Sequence, residues 1–402
     1  VSAFLLNRSS DLDLKAGAAL AWLDVDGITI NNYTFYNNSA QYSGGAIYVN
    51  KNSPNCKVIN STFELNYVVD VLSGRGGVID WLGTNGTIYN STFGLSYAIV
   101  AGALYIASDN MNITKSNFTY AIPLQRGGSI LGENANNATI TDCYFDNSAA
   151  IGYITPEDKD FGQGGAIYWI NSENLTISNT TFYKTESHAD GAVYLLNCNN
   201  SGLYNVLFND SFSIRSGGSI SWVNSTNGTV DNCTFIKSEA LDNGGAINLV
   251  GIDNITIKDS KFNNTRATKA HGGSIYIDGN VTIDNSTFTD YEAYLDWGAS
   301  LYFHNGTSTV VNSTFNDTYA IWAYKYATLY LTENNITGKN PNKNMSYLPD
   351  KDYDEKYNPV DYSVWNDGIL YLDKNNFDHV IFNNGTIMTQ TYLDMLDNDT
   401  YE

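Results

Sequence analysis

Residues 44–49 read Gly-Gly-Ala-Ile-Tyr-Val, and close copies of this hexapeptide recur along the chain. The motif begins at Gly44, Gly164, Gly244 and Gly272, and degenerate copies begin at Gly102, Gly191 and Gly217. Within each copy, aliphatic residues alternate with polar or aromatic ones, which is the period-2 pattern of a β-strand. The hexapeptide therefore predicts a short strand that returns at regular intervals.

A second motif, Thr-Ile-x-Asn-Ser-Thr-Phe, alternates with the first. Most of its steps are 25 to 28 residues, and one step of 37 marks an insertion that we place at residues 151–161. Its phenylalanines are Phe35, Phe63, Phe93, Phe118, Phe145, Phe182, Phe208, Phe235, Phe262, Phe288 and Phe315. A fixed period of this length is typical of a solenoid, whose repeats bury their apolar faces only by stacking on one another.

Three residues before the Phe, ten of the eleven copies carry Asn or Asp, and Lys115 is the exception. Asn and Asp tolerate left-handed backbone and hydrogen-bond to their own main chain in turns. We therefore predict a ladder of stacked side chains at a tight bend. Its members are Asn32, Asn60, Asn90, Asp142, Asn179, Asn205, Asn232, Asp259, Asn285 and Asn312.

Together the two motifs predict an all-β fold, a right-handed parallel β-helix. This is a pectate-lyase-like solenoid, with about 12–13 coils of ~27 residues. The handedness follows from the rule for parallel crossovers. We assign residues 1–15 to an N-terminal cap and 16–335 to the β-helix repeats. Residues 336–361 form a polar, acidic insertion, and residues 362–402 form the last coils and a C-terminal cap.

The formal net charge of −21 over 402 residues limits the classes of partner. Nucleic acid and anionic membrane are recognised by clustered Lys and Arg, and 21 dispersed basic residues do not supply such clusters. No apolar run approaches the ~20 residues of a transmembrane helix. Because the chain begins at Val1 without a leader, we expect a processed product or a fragment.

The four cysteines are expected to be free thiols, mostly buried. Cys143 and Cys233 take the same repeat position three coils apart, or ~14 Å at the spacing of neighbouring strands. A disulfide needs Cα atoms within ~7 Å. Cys56 and Cys198 take other positions in distant coils. Export by an anaerobe would reconcile free thiols with a surface protein.

The motifs Gly-Gly-Ala-Ile at residues 44–47 and Phe-x-x-Asn at residues 35–38 resemble the repeats of chlamydial polymorphic outer-membrane proteins. With the Asn-Ser/Cys-Thr-Phe element and the acidic, Asn- and Tyr-rich composition, the chain resembles still more closely the adhesin-like surface proteins of methanogenic archaea. The resemblance covers about residues 16–335. It implies an extracellular, surface-displayed β-helix that acts in adhesion or envelope architecture.

We therefore predict a non-enzymatic protein of adhesion or of cell-envelope or filament assembly. Its partner would be a glycan, a cell-surface protein or further copies of itself in a filament or layer. The alternative is a polysaccharide-processing enzyme, a lyase or glycoside hydrolase, on the same scaffold. Such an enzyme needs paired carboxylates or an acidic cluster with a base.

The outward position three residues after the second glycine holds one carboxylate, Asp80, and no base, so we assign no catalytic residue. Arg75 and Arg126 take equivalent positions two coils apart. Glu186, His188 and Asp190 crowd a single bend and are either a catalytic trio or solvated turn residues.

Tyrosine is the most frequent residue at that outward position. The outward tyrosines of successive coils therefore form a stripe, which is a candidate binding surface. Tyr is favoured at interfaces, although like neighbours on an exposed strand also stabilise a sheet without any ligand. The stripe comprises Tyr48, Tyr105, Tyr168, Tyr194, Tyr276, Tyr302, Tyr330 and Tyr371.

Two further kinds of site are predicted. Calcium is the one candidate cofactor, because the spacing of four carboxylates in the insertion resembles a calcium loop, although Glu355 stands where such a loop has glycine. The alternative is a solvated acidic loop. The candidate ligands are Asp350, Asp352, Asp354 and Asp361. Among the Asn-x-Ser/Thr triplets, many of which the ladder motif creates automatically, the favoured glycosylation candidates are the loop sites Asn112, Asn224 and Asn305.

Overall fold

The computed structural model describes residues 4–5, 16–70, 72–152, 162–293, 299–316, 319–337 and 362–389, and every regular element within these ranges is a β-strand. Each coil runs through the same series of short strands. From the first full coil onward, each strand pairs in parallel with its counterparts in the neighbouring coils. The predicted right-handed parallel β-helix is confirmed, and its hand is the one that parallel crossovers nearly always take.

The largest sheet holds two strands from each coil. The first strands are Leu20–Trp22, Ile47–Val49, Ile79–Trp81, Leu104–Ile106, Ile130–Glu133, Ile167–Glu173, Val193–Asn199 and Ile220–Val223. The second strands are Thr29–Asn31, Lys57–Ile59, Thr87–Tyr89, Asn112–Thr114, Thr139–Thr141, Thr176–Ser178, Gly202–Tyr204 and Thr229–Asp231. In the next coils the two strands fuse into Ile247–Lys258, Ile275–Asp284, Leu301–Val311 and Ile321–Thr332. In the C-terminal coils the two strands are separate again. The first strands there are Tyr362–Asn366 and Val380–Asn383, and the second strands are Ile369–Asp373 and Thr386–Thr389.

The phenylalanine strands form the opposite wall. They are Thr34–Tyr36, Thr62–Glu64, Thr92–Phe93, Asn117–Thr119, Tyr144–Asp146, Thr181–Tyr183, Leu207–Ser213, Thr234–Ala240, Lys261–Ala267, Thr287–Ala293, Thr314–Phe315, Asn335–Ile336 and Asn376–Phe377. Shorter strands follow them in the early coils at Ser39–Ala40, Asn66–Val68, Ser96–Tyr97, Ala149–Ala150 and Glu186–Ser187. Near the N-terminus, Phe4–Leu5 pairs antiparallel with Leu20–Trp22. The other residues of the predicted N-terminal cap, residues 390–402 and most of the insertion lie outside the described ranges.

The core is built from stacks of identical side chains. From Phe35 to Phe315, successive phenylalanine rings lie 4.6–5.2 Å apart with interplanar angles of 4–9°. That spacing matches the separation of neighbouring strands, because each coil places its Phe directly above the Phe of the coil before. The inward stacking predicted from the period is therefore confirmed.

The predicted Asn/Asp ladder is also confirmed. Its ten members and Lys115 all have positive φ, between 45° and 65°. Amide Nδ2 of Asn90 donates to Oδ1 of Asn60 at 2.8 Å, and Nδ2 of Asn232 donates to Oδ1 of Asn205 at 2.7 Å. The bend thus uses both properties of Asn, tolerance of left-handed backbone and hydrogen bonding between coils.

A second ladder, which we did not predict, stands at the bend between the first and second strands. Its residues lie five positions before the first ladder, have φ of 52–60°, and most neighbours are joined by Nδ2-to-Oδ1 bonds of 2.8–3.2 Å. They are Asn55, Asn85, Asn110, Asn137, Asn174, Asn200, Asn227 and Asn254. The recurring Asn five residues upstream was the available signal in the sequence.

The two glycines of the hexapeptide have different roles, as Gly127 and Gly128 show. Gly127 has a φ of 65°, in the left-handed region that favours glycine. Gly128 has no positive φ, but a Cβ there would collide with the carbonyl oxygen of Gly165 in the next coil. The pair therefore combines a corner conformation with close packing between coils.

The one ladder position without Asn or Asp predicts a stabilising substitution. Lys115→Asn is expected to raise the free energy of unfolding by about 1 kcal/mol, because Asn suits a φ of 52° better than Lys and adds an inter-coil hydrogen bond. The change gives up a contact of Lys115 Nζ with the Tyr89 ring at 5.6 Å, worth ~0.5 kcal/mol at an exposed site. Denaturant titration measures the result. Lys115→Gly is the control, because it relieves the left-handed backbone strain but adds no hydrogen bond. An equal gain in the free energy of unfolding in both variants would show that the inter-coil hydrogen bond of the ladder contributes nothing.

All four cysteines are free and buried, as predicted. Burial raises the pKa of the Cys143, Cys198 and Cys233 thiols to about 12. Each thiol donates to backbone carbonyls instead, for example Cys198 Sγ to Trp169 O at 3.3 Å. These thiols are therefore core residues of low reactivity.

Candidate functional site

One outward side chain per coil forms a continuous row along the first strands, which we call the outer row. Backbone pairing places in it Tyr48, Asp80, Tyr105, Leu131, Tyr168, Tyr194, Ser221, Asn248, Tyr276, Tyr302, Trp322, Trp365 and Phe382. The predicted positions of Tyr48, Tyr105, Tyr168, Tyr194, Tyr276 and Tyr302 are thus confirmed.

The prediction that Tyr330 and Tyr371 continue this row is wrong. Both lie on second strands, where Tyr330 pairs with Thr309 and with Tyr371. The outer row instead continues through Trp322 and Trp365. The cause is a shortened coil. The first strand of the following coil begins at Ile321, only six residues after Phe315, and no Gly-Gly pair precedes it. Tyr319, with a φ of 59°, turns that corner instead.

The tyrosines of the outer row do not form an open aromatic surface. Tyr105, Tyr168, Tyr194 and Tyr302 are buried, with 4–9% of their surface exposed. The rings of Tyr168 and Tyr194 lie 5.1 Å apart at 13°, because the coil spacing stacks like on like. Neighbouring rings cover Tyr168, Tyr194 and Tyr302, and the Arg75 guanidinium covers Tyr105, so these four tyrosines do not offer the predicted surface for stacking a ligand.

A charged cluster occupies the N-terminal part of the outer row. Asp80 is fully buried, and Arg75 Nε donates to its Oδ2 at 2.9 Å. The Arg75 guanidinium also lies 4.6 Å from the centre of the Tyr105 ring. The Tyr105 hydroxyl donates to Glu133 Oε2 at 2.8 Å. Sequence reasoning noted Arg75 and Asp80 separately but did not bring them together, and it did not single out Glu133.

Burial sets the protonation behaviour of this cluster. Desolvation raises the pKa of Asp80, although Arg75 and the Ser43 hydroxyl lower it. Desolvation also raises the pKa of Tyr105, and the bond to Glu133 raises it further. The Tyr105 hydroxyl is therefore protonated at neutral pH. Arg75, whose side chain is 38% exposed, and Glu133, which is half-buried, are the members of the cluster that reach solvent.

A second cluster, the aromatic patch, lies at the C-terminal part of the same face. It comprises His304, Trp322, Tyr324, Lys325, Tyr326, Trp365 and Asp367. The Nε1 atoms of Trp322 and Trp365 both donate to Asp367 Oδ2, each at 3.0 Å. The shared carboxylate fixes both indole rings, which stack 4.9 Å apart.

Beside the two indoles, the patch exposes further aromatic surface. Tyr326 is 61% exposed, Tyr324 packs edge-on against it at 5.8 Å, and His304 stacks on Tyr324 at 5.4 Å. Lys325 Nζ lies 4.7 Å from the centre of the Tyr326 ring. The Tyr326 ring and the Lys325 cation therefore share one exposed surface beside the indole-bound carboxylate, whereas Trp365 is stacked between Trp322 and Phe382.

The trio at the bend after Phe182 does not converge as a catalytic site. Glu186 is exposed, and His188 Nδ1 contacts Gly152 O at 3.0 Å. Burial raises the pKa of Asp190 to about 6, against the influence of Arg215. Across the part of the chain that the structure describes, no group of three His, Cys, Asp or Glu residues is arranged to hold a metal ion.

The remaining candidate sites have mixed outcomes. The calcium candidates Asp350, Asp352, Asp354 and Asp361 lie outside the described residues. Asn112, Asn224 and Asn305 are all exposed. Only Asn224 lies outside a strand, because Asn112 begins one and Asn305 falls within the fused strand Leu301–Val311. The expectation that all three are loop sites was wrong, and their glycosylation stays a prediction.

Within the described ranges, no helix has the length and apolarity needed to span a membrane.

No protein-family model and no curated protein matches the sequence. Similar solved structures include a mannuronan C-5 epimerase A-module from Azotobacter vinelandii, at 10% identity over 90% of each chain with a TM-score of 0.46. An alginate lyase in complex with G6 matches at 10% identity over 91% of this chain and 88% of that one, with a TM-score of 0.45. A surface adhesin of Streptococcus pneumoniae matches at 12% identity over 86% and 82%, with a TM-score of 0.42. Likenesses this distant carry neither an activity nor a ligand to this chain.

Proposed function

We propose that this β-helix is an extracellular, non-enzymatic surface protein that binds a polysaccharide along the outer face of its first strands, in adhesion or envelope architecture. The observation that carries the proposal is the aromatic patch. Aromatic rings offer flat apolar faces to sugar rings, and fixed polar groups beside them orient sugar hydroxyls. The patch combines an exposed Tyr326 with two indoles held by Asp367.

The geometry of the patch favours a saccharide over a purely apolar partner. Its rings are interleaved with Lys325, His304 and Asp367, so a ligand would exchange hydrogen bonds as well as apolar contacts. Asp367 accepts both indole N–H groups at Oδ2 and the Asn384 amide at Oδ1, at 3.2 Å. The exposed Lys325 ammonium is therefore the group of the patch that meets sugar hydroxyls. The resemblance to adhesin-like archaeal surface proteins supports the same role.

Substitution at the most exposed ring tests this proposal. Tyr326→Ala is expected to weaken glycan binding ~10-fold or more, which corresponds to about 1.4 kcal/mol. Tyr33→Ala is the matched control, because Tyr33 is 62% exposed and lies at a bend away from the patch. A glycan array of the full chain identifies the best ligand, and calorimetry compares the variants. Failure of the wild-type chain to bind neutral, amino or acidic glycans, or an equal loss in both variants, would refute the proposal.

A second candidate function is polysaccharide processing, and the charged cluster is the observation that favours it. Tyr105 and Glu133 share a hydrogen bond and form a proton-transfer pair. The Arg75 guanidinium places a cation beside this pair. Incubation of the chain with neutral and uronic-acid polysaccharides, followed by chromatography of the products, tests this function. Product formation that Tyr105→Phe abolishes would establish it over the non-enzymatic role.

Assembly into a filament or layer stays a prediction, which electron microscopy tests.

A further inference from the structure

The corner two residues after each core phenylalanine changes character along the rod. Three successive early coils carry apolar residues there, namely Leu65, Leu95 and Tyr120. The next six coils carry polar or charged residues at the same corner, namely Asn147, Lys184, Asp210, Lys237, Asn264 and Asp290. Leu65 and Tyr120 have φ of 57° and 54°, in the left-handed region that Asn and Asp tolerate better. The early coils therefore keep apolar residues at a corner that suits polar ones.

The wall that follows this corner changes in the same way. Backbone pairing and hydrogen bonds align one outward residue per coil, four residues after the phenylalanine. From the second coil to the fifth, this row consists of Tyr67, Tyr97, Ile122 and Ala149. In the later coils it consists of Glu186, Phe212, Glu239, Arg266 and Glu292. The same wall is thus uncharged near the N-terminus and mainly acidic farther along.

The apolar residues of the early coils reach solvent. We call them the N-terminal apolar face, which comprises Leu65, Tyr67, Val69, Leu72, Leu95, Tyr97, Tyr120 and Ile122. Leu65 and Ile122 are half-buried, and the other six expose between 38% and 84% of their surface. Taking ~200 Å² for each large side chain, the face presents roughly 600 Å², which is the upper end for the largest apolar patch of a typical monomer. An exposed patch of this size marks an interaction site.

Two carboxylates border the face without interrupting it. Glu64 lies on the phenylalanine strand, where its carboxylate is so close above Gly94 that a Cβ there would collide with it. Asp70 accepts the Ser73 hydroxyl at 2.6 Å and the backbone N–H groups of Leu72 and Ser73. None of the eight residues that form the face is charged, in a chain whose formal net charge is −21. A second acidic molecule therefore meets the least repulsion at this face.

We propose that the N-terminal apolar face is the interface of a homodimer, in which two copies lie antiparallel about a twofold axis near the coil of Phe93. A twofold contact brings the same patch of both copies together, so the patch has to complement itself. Uncharged apolar side chains and tyrosines meet this condition. Burial of roughly 600 Å² on each copy gives ~1,200 Å² in total, which is the lower limit for specific interfaces.

Charge selects the antiparallel order. In a parallel pair, Glu186, Glu239 and Glu292 of one copy would face the same carboxylates of the other, and like charges across an interface are strongly unfavourable. In the antiparallel pair the acidic coils extend away from the contact at opposite ends. A basic partner would instead favour those acidic coils, so the uncharged face fits a second copy of this chain. The inference does not depend on glycan binding, because the face lies on other strands than the outer row and the aromatic patch.

Sedimentation velocity of the full chain over a series of concentrations tests this interface. Leu95→Asp is the test variant, because the twofold axis places both new carboxylates in one contact, and dimerisation is expected to weaken ~100-fold or more. Leu95 is 45% exposed, so the change leaves the core intact. Tyr33→Asp is the matched control, since Tyr33 is 62% exposed and lies at a bend outside the face. Circular dichroism and thermal melting confirm that both variants are folded.

The expected result is a dimer for the wild-type chain and for Tyr33→Asp, and a monomer for Leu95→Asp. An equal mixture of Leu95→Asp and Leu95→Lys is expected to recover the dimer, because opposite charges then meet across the axis. A wild-type chain that stays monomeric at every concentration, or a dimer that Leu95→Asp leaves intact, would overturn the inference. A mixture that stays monomeric would overturn the position of the axis. A monomeric wild-type chain whose glycan binding is lost in Leu95→Asp would assign the face to a glycan instead of a second copy.

Discussion

Gly128→Ala is expected to prevent folding or to lower the free energy of unfolding by more than about 4 kcal/mol. A Cβ at Gly128 would overlap the carbonyl oxygen of Gly165 and lie 2.7 Å from its carbonyl carbon and 3.1 Å from the Ala149 nitrogen. All three are backbone atoms of the packed solenoid, so no side chain can move aside to relieve the overlap. Soluble yield and circular dichroism measure the outcome.

Gly27→Ala is the matched control. Gly27 has a φ of 69°, but nothing lies within 4 Å of a Cβ built there. Only backbone strain is expected, at about 1 kcal/mol. Similar losses in the two variants would show that close approach between coils is not the reason for the second glycine of the hexapeptide.

Phe182→Ala is expected to lower the free energy of unfolding by about 3–5 kcal/mol, the range for deleting a buried aromatic ring. Phe182 is fully buried and stacks on Phe145 and Phe208, each at 4.8 Å. In a solenoid each coil contacts only its neighbours, so the cavity weakens two interfaces at once. Urea titration followed by tryptophan fluorescence measures the change.

The end of the same stack supplies the control. Phe35 retains 8% of its surface exposed and stacks on Phe63 at 4.8 Å. Phe35→Ala is therefore expected to cost about half as much or less. A loss as large as that of Phe182→Ala would mean that the stack does not stabilise the rod through pairwise coil contacts.

The fold was predictable because its determinants are local and repeated. Alternation within six residues identifies inward positions, and a nearly constant period places each over its counterpart, as the Phe35-to-Phe315 stack shows. The first Asn/Asp ladder followed from residue type alone, since few side chains tolerate left-handed backbone. The second ladder had an equally regular signal in Asn55, Asn85 and their successors, which we did not use.

The site was predictable only in part. Six of the eight proposed tyrosines lie in the outer row, but stacking between coils covers the ring faces of several of them. Tyr330 was misplaced because Ala-Thr-Leu-Tyr has the same alternation as Gly-Ala-Leu-Tyr. Local alternation cannot distinguish a first strand from a second strand when a coil is shortened.

Sequence alone thus determined the strand type, the inward stacks, the asparagine corner and the free thiols, because each depends on residue type at a fixed period. Tertiary structure alone decided that Arg75 lies over Tyr105 and that Trp322 and Trp365 share Asp367. The contacts of Arg75 with Tyr105 and of Trp322 with Asp367 join side chains from neighbouring coils, tens of residues apart in the chain. Their alignment depends on the length of every turn between them, which residue patterns within one strand do not encode.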